Sequence, residues 1–105
     1  EFARRDGDFA IAAVGCLLKL QDGVISDIAI SIGGVEDVPR RFIECEDVLR
    51  GSKYDIEEVK KQIIGPLDQI NYIDDSLVTG SYRQKLLKGL LVRSIEQAAS
   101  RANSL

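Results

Sequence analysis

The sequence contains no histidine, no methionine and no tryptophan, and only two cysteines and two prolines. Without an imidazole there is no histidine base and no histidine metal ligand. Ser-His-Asp and Cys-His catalytic arrangements therefore cannot be assembled from this chain alone. Cys16 and Cys45 lie 29 positions apart, with no C-x-x-C pair. A cysteine zinc site or a chain-internal iron–sulfur cluster would lack ligands. Two widely spaced cysteines with no disulfide framework suit a reducing cytoplasm. Long apolar runs are missing too. The uncharged stretch Phe9–Leu18 covers ten residues, whereas a membrane span needs about 20. The charged start, Glu1-Phe2-Ala3-Arg4-Arg5-Asp6, does not read as a signal peptide, which places a cationic region before an apolar one. The absent starting methionine means that the chain was processed or was cut from something longer, and the second is the expectation.

What is present is an ordinary globular balance. The 105 residues are 45 % apolar and 30 % charged, enough for one domain with one core. The net charge of −3, from 17 acidic and 14 basic residues, gives no reason to expect a nucleic acid or another polyanion as partner.

Pattern divides the chain in two, with a β part over about residues 8–43 and an α part over about 44–101. Phe9–Leu20 is a long apolar stretch ending at Asp22-Gly23. That dipeptide predicts a two-residue hairpin turn, since both positions tolerate positive φ. Val24–Ile32 then alternates. With Gln21 opposite Val24, strict pairing places Leu17, Gly15 and Ala13 on the core face with Ile28, Ile30 and Ile32. Gly33-Gly34 ends the hairpin, and Arg40–Ile43 forms a short further strand. Glu44–Leu49 reads as a helix stopped by Gly51. Asp55-Ile56-Glu57-Glu58 has capping-box spacing and opens a second helix, ended by Gly65-Pro66. Residues 67–78 read as irregular. A long helix, Ser81–Ser100, carries a Leu87, Leu91, Ile95 and Ala98 stripe, with Ser81 and Gln84 as reciprocal caps. Gly89 inside it predicts close packing against another element. Strands first and helices after imply an α+β fold: an antiparallel sheet of three to four strands followed by three helices, in a two-layer sandwich.

Few residues invite chemistry. Gly33-Gly34 lacks the spacing of a dinucleotide-binding loop and reads as a strand-ending turn. Asp68, Asp74 and Asp75 suit a hard cation by type but lack regular ligand spacing, so a solvated loop or helix-start role is preferred. Arg4-Arg5 with Asp8 offers planar donors to an anion or cofactor; the plainer reading is a surface ion pair. Cys16 sits in an apolar strand, where burial raises a thiol's pKa. Residue chemistry alone shows no self-contained active site.

Four ordered segments carry a resemblance: Arg4-Arg5-Asp6-Gly7-Asp8-Phe9-Ala10; Ile30-Ser31-Ile32-Gly33-Gly34-Val35 with Pro39-Arg40 after it; Glu46-x-x-Leu49-x-Gly51; and Asp75-x-x-x-Thr79-x-x-Tyr82-Arg83. Together, from about residue 2 to 100, they resemble the C-terminal domain of the FAD-binding (medium) subunit of molybdenum hydroxylases, the carbon monoxide dehydrogenase and xanthine dehydrogenase group. The resemblance implies the same α+β fold, and an FAD held mainly between preceding domains of the same chain. It further implies partner subunits that hold the molybdenum cofactor and two [2Fe–2S] clusters and pass electrons to FAD; no cofactor is expected on residues 1–105 themselves. Carried over residue by residue, it makes Arg4 and Arg5 flavin-proximal cations, with Asp8 pairing to hold one. It leaves Glu46, Asp75, Thr79, Tyr82 and Arg83 structural, with Thr79 or Ser81 as cap and Arg83 pairing locally. The stretch Gly65–Asp74 looks longer than the family pattern, which leaves the parent's substrate and acceptor open. The alternative is a free-standing assembly module of the same fold without flavin.

Overall fold

The structure, a computed structural model, describes residues 2–3 and 10–103. Four antiparallel strands lie in the order β1 (Phe2–Ala3), β2 (Ala10–Gln21), β3 (Val24–Gly33) and β4 (Arg40–Arg41). Four helices follow: α1 (Ile43–Leu49), α2 (Ile56–Gln62), α3 (Ile64–Asp68) and α4 (Gly80–Asn103). Helix α4 packs along β2 and α1 against β3, giving a sheet layer and a helix layer. No helix among the described residues is long and apolar enough to cross a membrane.

The hairpin turn forms where the dipeptide predicts it. Asp22 (φ 55°) and Gly23 (φ 78°) both adopt positive φ, the requirement of a turn whose twist matches the flanking strands. Gln21 pairs with Val24 and Leu20 with Ile25, but the next pair is Lys19 with Asp27. Ser26 is the extra residue of a β-bulge, and its hydroxyl donates to the Lys19 carbonyl at 3.2 Å.

That single residue overturns the expected face of β2. Beyond the bulge Leu18 pairs with Ile28, Cys16 with Ile30 and Val14 with Ile32, and these pack against the core. Leu17, expected inside, is 75 % exposed. The bulge also lets Ile25 and Ile28 both point inward although they are three apart, an odd spacing that strict alternation forbids. Both are buried, as are Ile30 and Ile32. They meet Phe42, Cys45, Leu49, Val59, Ile63, Leu67, Leu87, Leu91 and Ile95.

The helical half follows its stripes but departs at its punctuation. Asp55 caps α2, its carboxylate accepting from the Glu57 N–H at 3.0 Å. Gly65-Pro66 does not end the helical region: both lie inside α3. Pro66 occupies the first turn, where an amide N–H has no helical partner to lose. Helix α4 is capped by Thr79, whose hydroxyl accepts from the Tyr82 N–H at 3.1 Å, and not by Ser81. Gln84 reaches instead to Asp68 Oδ1 on α3, at 2.6 Å. Gly89, expected at a close contact, faces open space, with no atom within 4 Å of where a Cβ would stand.

The two lateral edges of the hairpin are treated differently. Along β3 the chain after α1 lies alongside: the Ile25 N–H donates to the Ser52 carbonyl, Gly51 N–H to Ile25, and Tyr54 N–H to Gly23, at 2.8 to 2.9 Å. Gly51, at φ 88°, makes the turn out of α1 that allows this. Along β2, β1 pairs only with Ala10 and Ala12.

Candidate functional site

At one end of the sheet, the start of β2, the end of β3 and the start of α4 converge on Arg83. A turn delivers the chain to α4. Asp75 Oδ1 accepts from the Leu77 and Val78 N–H groups at 2.9 and 2.8 Å, and Asp74 Oδ1 accepts from the Gly80 N–H at 3.2 Å. One helical turn into α4, Arg83 spreads its guanidinium over four acceptors. Nη1 donates to the Gly34 carbonyl at 2.9 Å and the Ile11 carbonyl at 3.2 Å; Nε donates to the Ile73 carbonyl at 3.0 Å; Nη2 donates to Asp75 Oδ2 at 3.2 Å. Arg83 is only 8 % exposed, a burial that the planar fork makes tolerable because its donors find partners. The Val78 and Leu77 amides, with the adjacent guanidinium, hold the Asp75 carboxyl below the usual range. Arg83 is expected to pair locally, and Asp75 is its local partner. The carbonyls of Ile11, 72 residues away, and Gly34, 49 residues away, are partners that sequence reading missed.

A second ionic cluster closes the other end of the β3–α1 contact. Glu46 is 1 % exposed. Its Oε2 accepts from the Ile30 N–H at 2.8 Å and Arg41 Nε at 2.6 Å, and its Oε1 accepts from Arg41 Nη2 at 2.7 Å. The carboxylate supplies the ladder partner that a longer β4 would otherwise give to Ile30. Arg41 first, then the Ile30 amide, keep the Glu46 carboxyl below its ordinary pKa against the cost of burial. Beside it Arg40 bonds Glu36 and Glu44 at 2.6 to 3.0 Å and lies 5.7 Å from the Phe42 ring centre. Both clusters hold elements together, and neither presents an unpartnered nucleophile, base or acid to an open cavity.

The residues expected nearest a flavin, Arg4, Arg5 and Asp8, lie outside the described residues. Their segment joins β2 one residue before Ile11, whose carbonyl Arg83 holds. Asp68, Asp74 and Asp75 are each spent on internal hydrogen bonds. Among the described residues no group of three or more acidic or cysteine side chains is gathered for a metal ion. Burial pushes the Cys16 thiol up to about 11 and the Cys45 thiol up to about 12, as an apolar setting requires. No cradle for a flavin is built by the described residues: Gly34 (φ 80°) turns the chain out of β3, and its carbonyl is taken by Arg83.

Residues 1–98 match the family model described as the CO dehydrogenase flavoprotein C-terminal domain. The chain is 36 % identical over 101 residues to the nicotine 6-hydroxylase medium subunit of Paenarthrobacter nicotinovorans, covering 96 % of this chain and 36 % of that one. It is 34 % identical over 96 residues to the glyceraldehyde dehydrogenase medium chain of Sulfolobus acidocaldarius, covering 91 % and 34 %. Among solved structures it is similar to a chain of quinoline 2-oxidoreductase from Pseudomonas putida 86, with 27 % identity, a TM-score of 0.83, and 97 % and 36 % coverage. A chain of CO dehydrogenase from Oligotropha carboxidovorans matches with 25 % identity, a TM-score of 0.83, and 96 % and 35 % coverage. The chain thus spans about a third of the length of the relatives it matches.

Proposed function

Because the chain belongs to the CO dehydrogenase flavoprotein C-terminal domain family, we propose that residues 1–105 form a single domain, the C-terminal third of the FAD-binding medium subunit of a molybdenum hydroxylase-type oxidoreductase. In this reading the preceding domains of the same polypeptide hold the FAD. Partner subunits carry the molybdenum cofactor and the [2Fe–2S] clusters, and electrons pass from molybdenum through the clusters to the flavin in the cytoplasm. The flavin supplies the redox chemistry; the protein supplies position and field. The observation that carries the reading is the likeness in sequence to medium subunits over nearly all of this chain and about a third of theirs, with a backbone likeness of the same extent to chains of quinoline 2-oxidoreductase and CO dehydrogenase.

The domain's own contribution is mechanical. Arg83 fixes the start of β2 to the end of β3 and to the 73–75 turn, so the segment bearing Arg4, Arg5 and Asp8 leaves from a rigid base. These three residues are assigned as flavin-proximal. Two measurements test the reading. The full-length polypeptide, expressed and purified, is expected to show the visible absorbance of bound flavin; a well-folded polypeptide without flavin overturns the assignment in favour of a flavin-free assembly module. In the flavin-bearing enzyme, Arg4→Ala is expected to shift the flavin reduction potential or acceptor turnover while leaving the unfolding midpoint in place. An unchanged potential and turnover reduce Arg4 to a surface charge.

A further inference from the structure

The open side of β2 is the least finished part of the fold, and the geometry around it names what belongs there. Nine consecutive residues of β2, Ala13–Gln21, pair with β3 on one side, while β1 reaches only Ala10 and Ala12 on the other. Among the described residues no strand pairs with Ala13–Gln21 on that side, and a row of N–H and C=O groups this long is a template for another strand. Lys19 is the only charged residue along it. The core is unfinished on the same side: Val14, Cys16, Leu18 and Leu20 are only partly buried. A groove between β2 and the end of α4 is lined by Cys16, Leu17, Leu18, Ala98, Arg101 and Ala102.

Direction identifies the occupant. β1 runs antiparallel to β2, with Phe2 opposite Ala12 and Ala3 opposite Ala10. Each residue preceding Phe2 is therefore carried one step further along β2 toward Gln21. We propose that the polypeptide immediately preceding Glu1 extends β1 antiparallel along Ala13–Gln21, completing the sheet at its open edge. Alternate side chains of that strand pack into the groove beside Ala98 and Ala102. The inference rests on the reading that further domains precede this one. It adds a consequence for the site: the segment carrying Arg4, Arg5 and Asp8 is then bounded by two long, mutually paired strands, with Arg83 beneath one of them. Ala3 and Ala10, which flank that segment, are then both held in one sheet.

Residue-resolved amide hydrogen exchange on the full-length polypeptide reads the edge directly. A completed edge protects consecutive amides across Ala13–Gln21, each exchanging at least about 100-fold slower than a free amide. An open edge gives alternation, slow where the N–H faces β3 and fast where it does not, and overturns the proposal. A cysteine pair identifies the strand. Five steps on from the Phe2–Ala12 pair, Leu17 stands opposite the fifth residue before Phe2. Leu17→Cys combined with a cysteine at that upstream position is expected to form a disulfide. Leu17→Cys with Ala29→Cys, an established cross-strand pair, serves as the control. Control bonding without upstream bonding overturns the proposal, even where protection is uniform, because another strand then fills the edge. Bound flavin is scored in the same preparation. Its absence counts against the functional reading, whereas the exchange pattern and the disulfide judge the strand by itself.

Discussion

The two long strands of one hairpin live in different worlds. β3 is covered by the 51–54 segment and by Glu46 along its outer edge, and its inward isoleucines are at most 3 % exposed. β2 has the more apolar sequence, yet beyond Ala12 its inward residues Val14, Cys16, Leu18 and Leu20 are only partly buried and Leu17 stands in solvent. Hydrophobicity alone does not say where a core is complete; coverage of edges and faces does. The more apolar strand is the one still waiting for a neighbour.

The contrast is sharpest in core truncations. Ile30→Ala is expected to cost about 4 kcal/mol, as a fully buried deletion does. Leu18→Ala, across the same sheet, is expected to cost ~1–2 kcal/mol, since only part of its surface has left water. Chemical denaturation of both variants measures the gap, and equal losses would erase the comparison. Next in size is the clasp that seals β3. Glu46→Gln weakens a buried, charge-assisted set of bonds, for an expected loss of ~2–3 kcal/mol near neutral pH. The folded-state pKa of Glu46 is depressed. Its stabilisation is therefore complete above the ordinary glutamate value of about 4.3 and is lost as pH falls through the folded value. Stability of the parent should fall on acidification below that range more steeply than stability of E46Q. Parallel acid limbs would show that the carboxylate's charge contributes nothing. The smallest contrast is between the thiols. At pH 8, values of about 11 and about 12 leave roughly a thousandth of Cys16 and a ten-thousandth of Cys45 as thiolate. Alkylation is expected to be about tenfold slower at Cys45, more so for its full burial. Faster labelling of Cys45 would place α1 in frequent local opening.

Much of the architecture was legible in short-range chemistry. Asp22-Gly23 fixed the turn because both residues accept positive φ, and the Leu87–Leu91–Ile95 stripe fixed the inner face of α4. The bulge at Ser26 was missed although a signal existed. Ile25 and Ile28 have opposite parity, so both can be buried only if one residue is extruded between them. Helix pattern put the α4 cap two residues late because Ser81 offers the same hydroxyl, while the resemblance left Thr79 or Ser81 open and Thr79 is the cap; Gly65-Pro66 misled because a proline in a first turn breaks nothing. The Glu46–Arg41 clasp and the Ile11–Arg83 bond were not legible from periodicity. Each joins elements whose meeting is decided by the packing of the whole domain. The family resemblance assigned Glu46 and Arg83 a structural part without saying what they touch.

The Asp22-Gly23 turn also orders events in time. Hairpin contacts are close in sequence, and closures of this kind take ~1–10 μs. The strand pair can zip from its tip as soon as residue 33 is free of the ribosome. The Arg83 lock needs a partner 72 residues upstream, so it closes late, after α4 has begun to emerge. In that interval the nascent hairpin has neither helix over its apolar face nor lock at its base, and that is when a chaperone would find it.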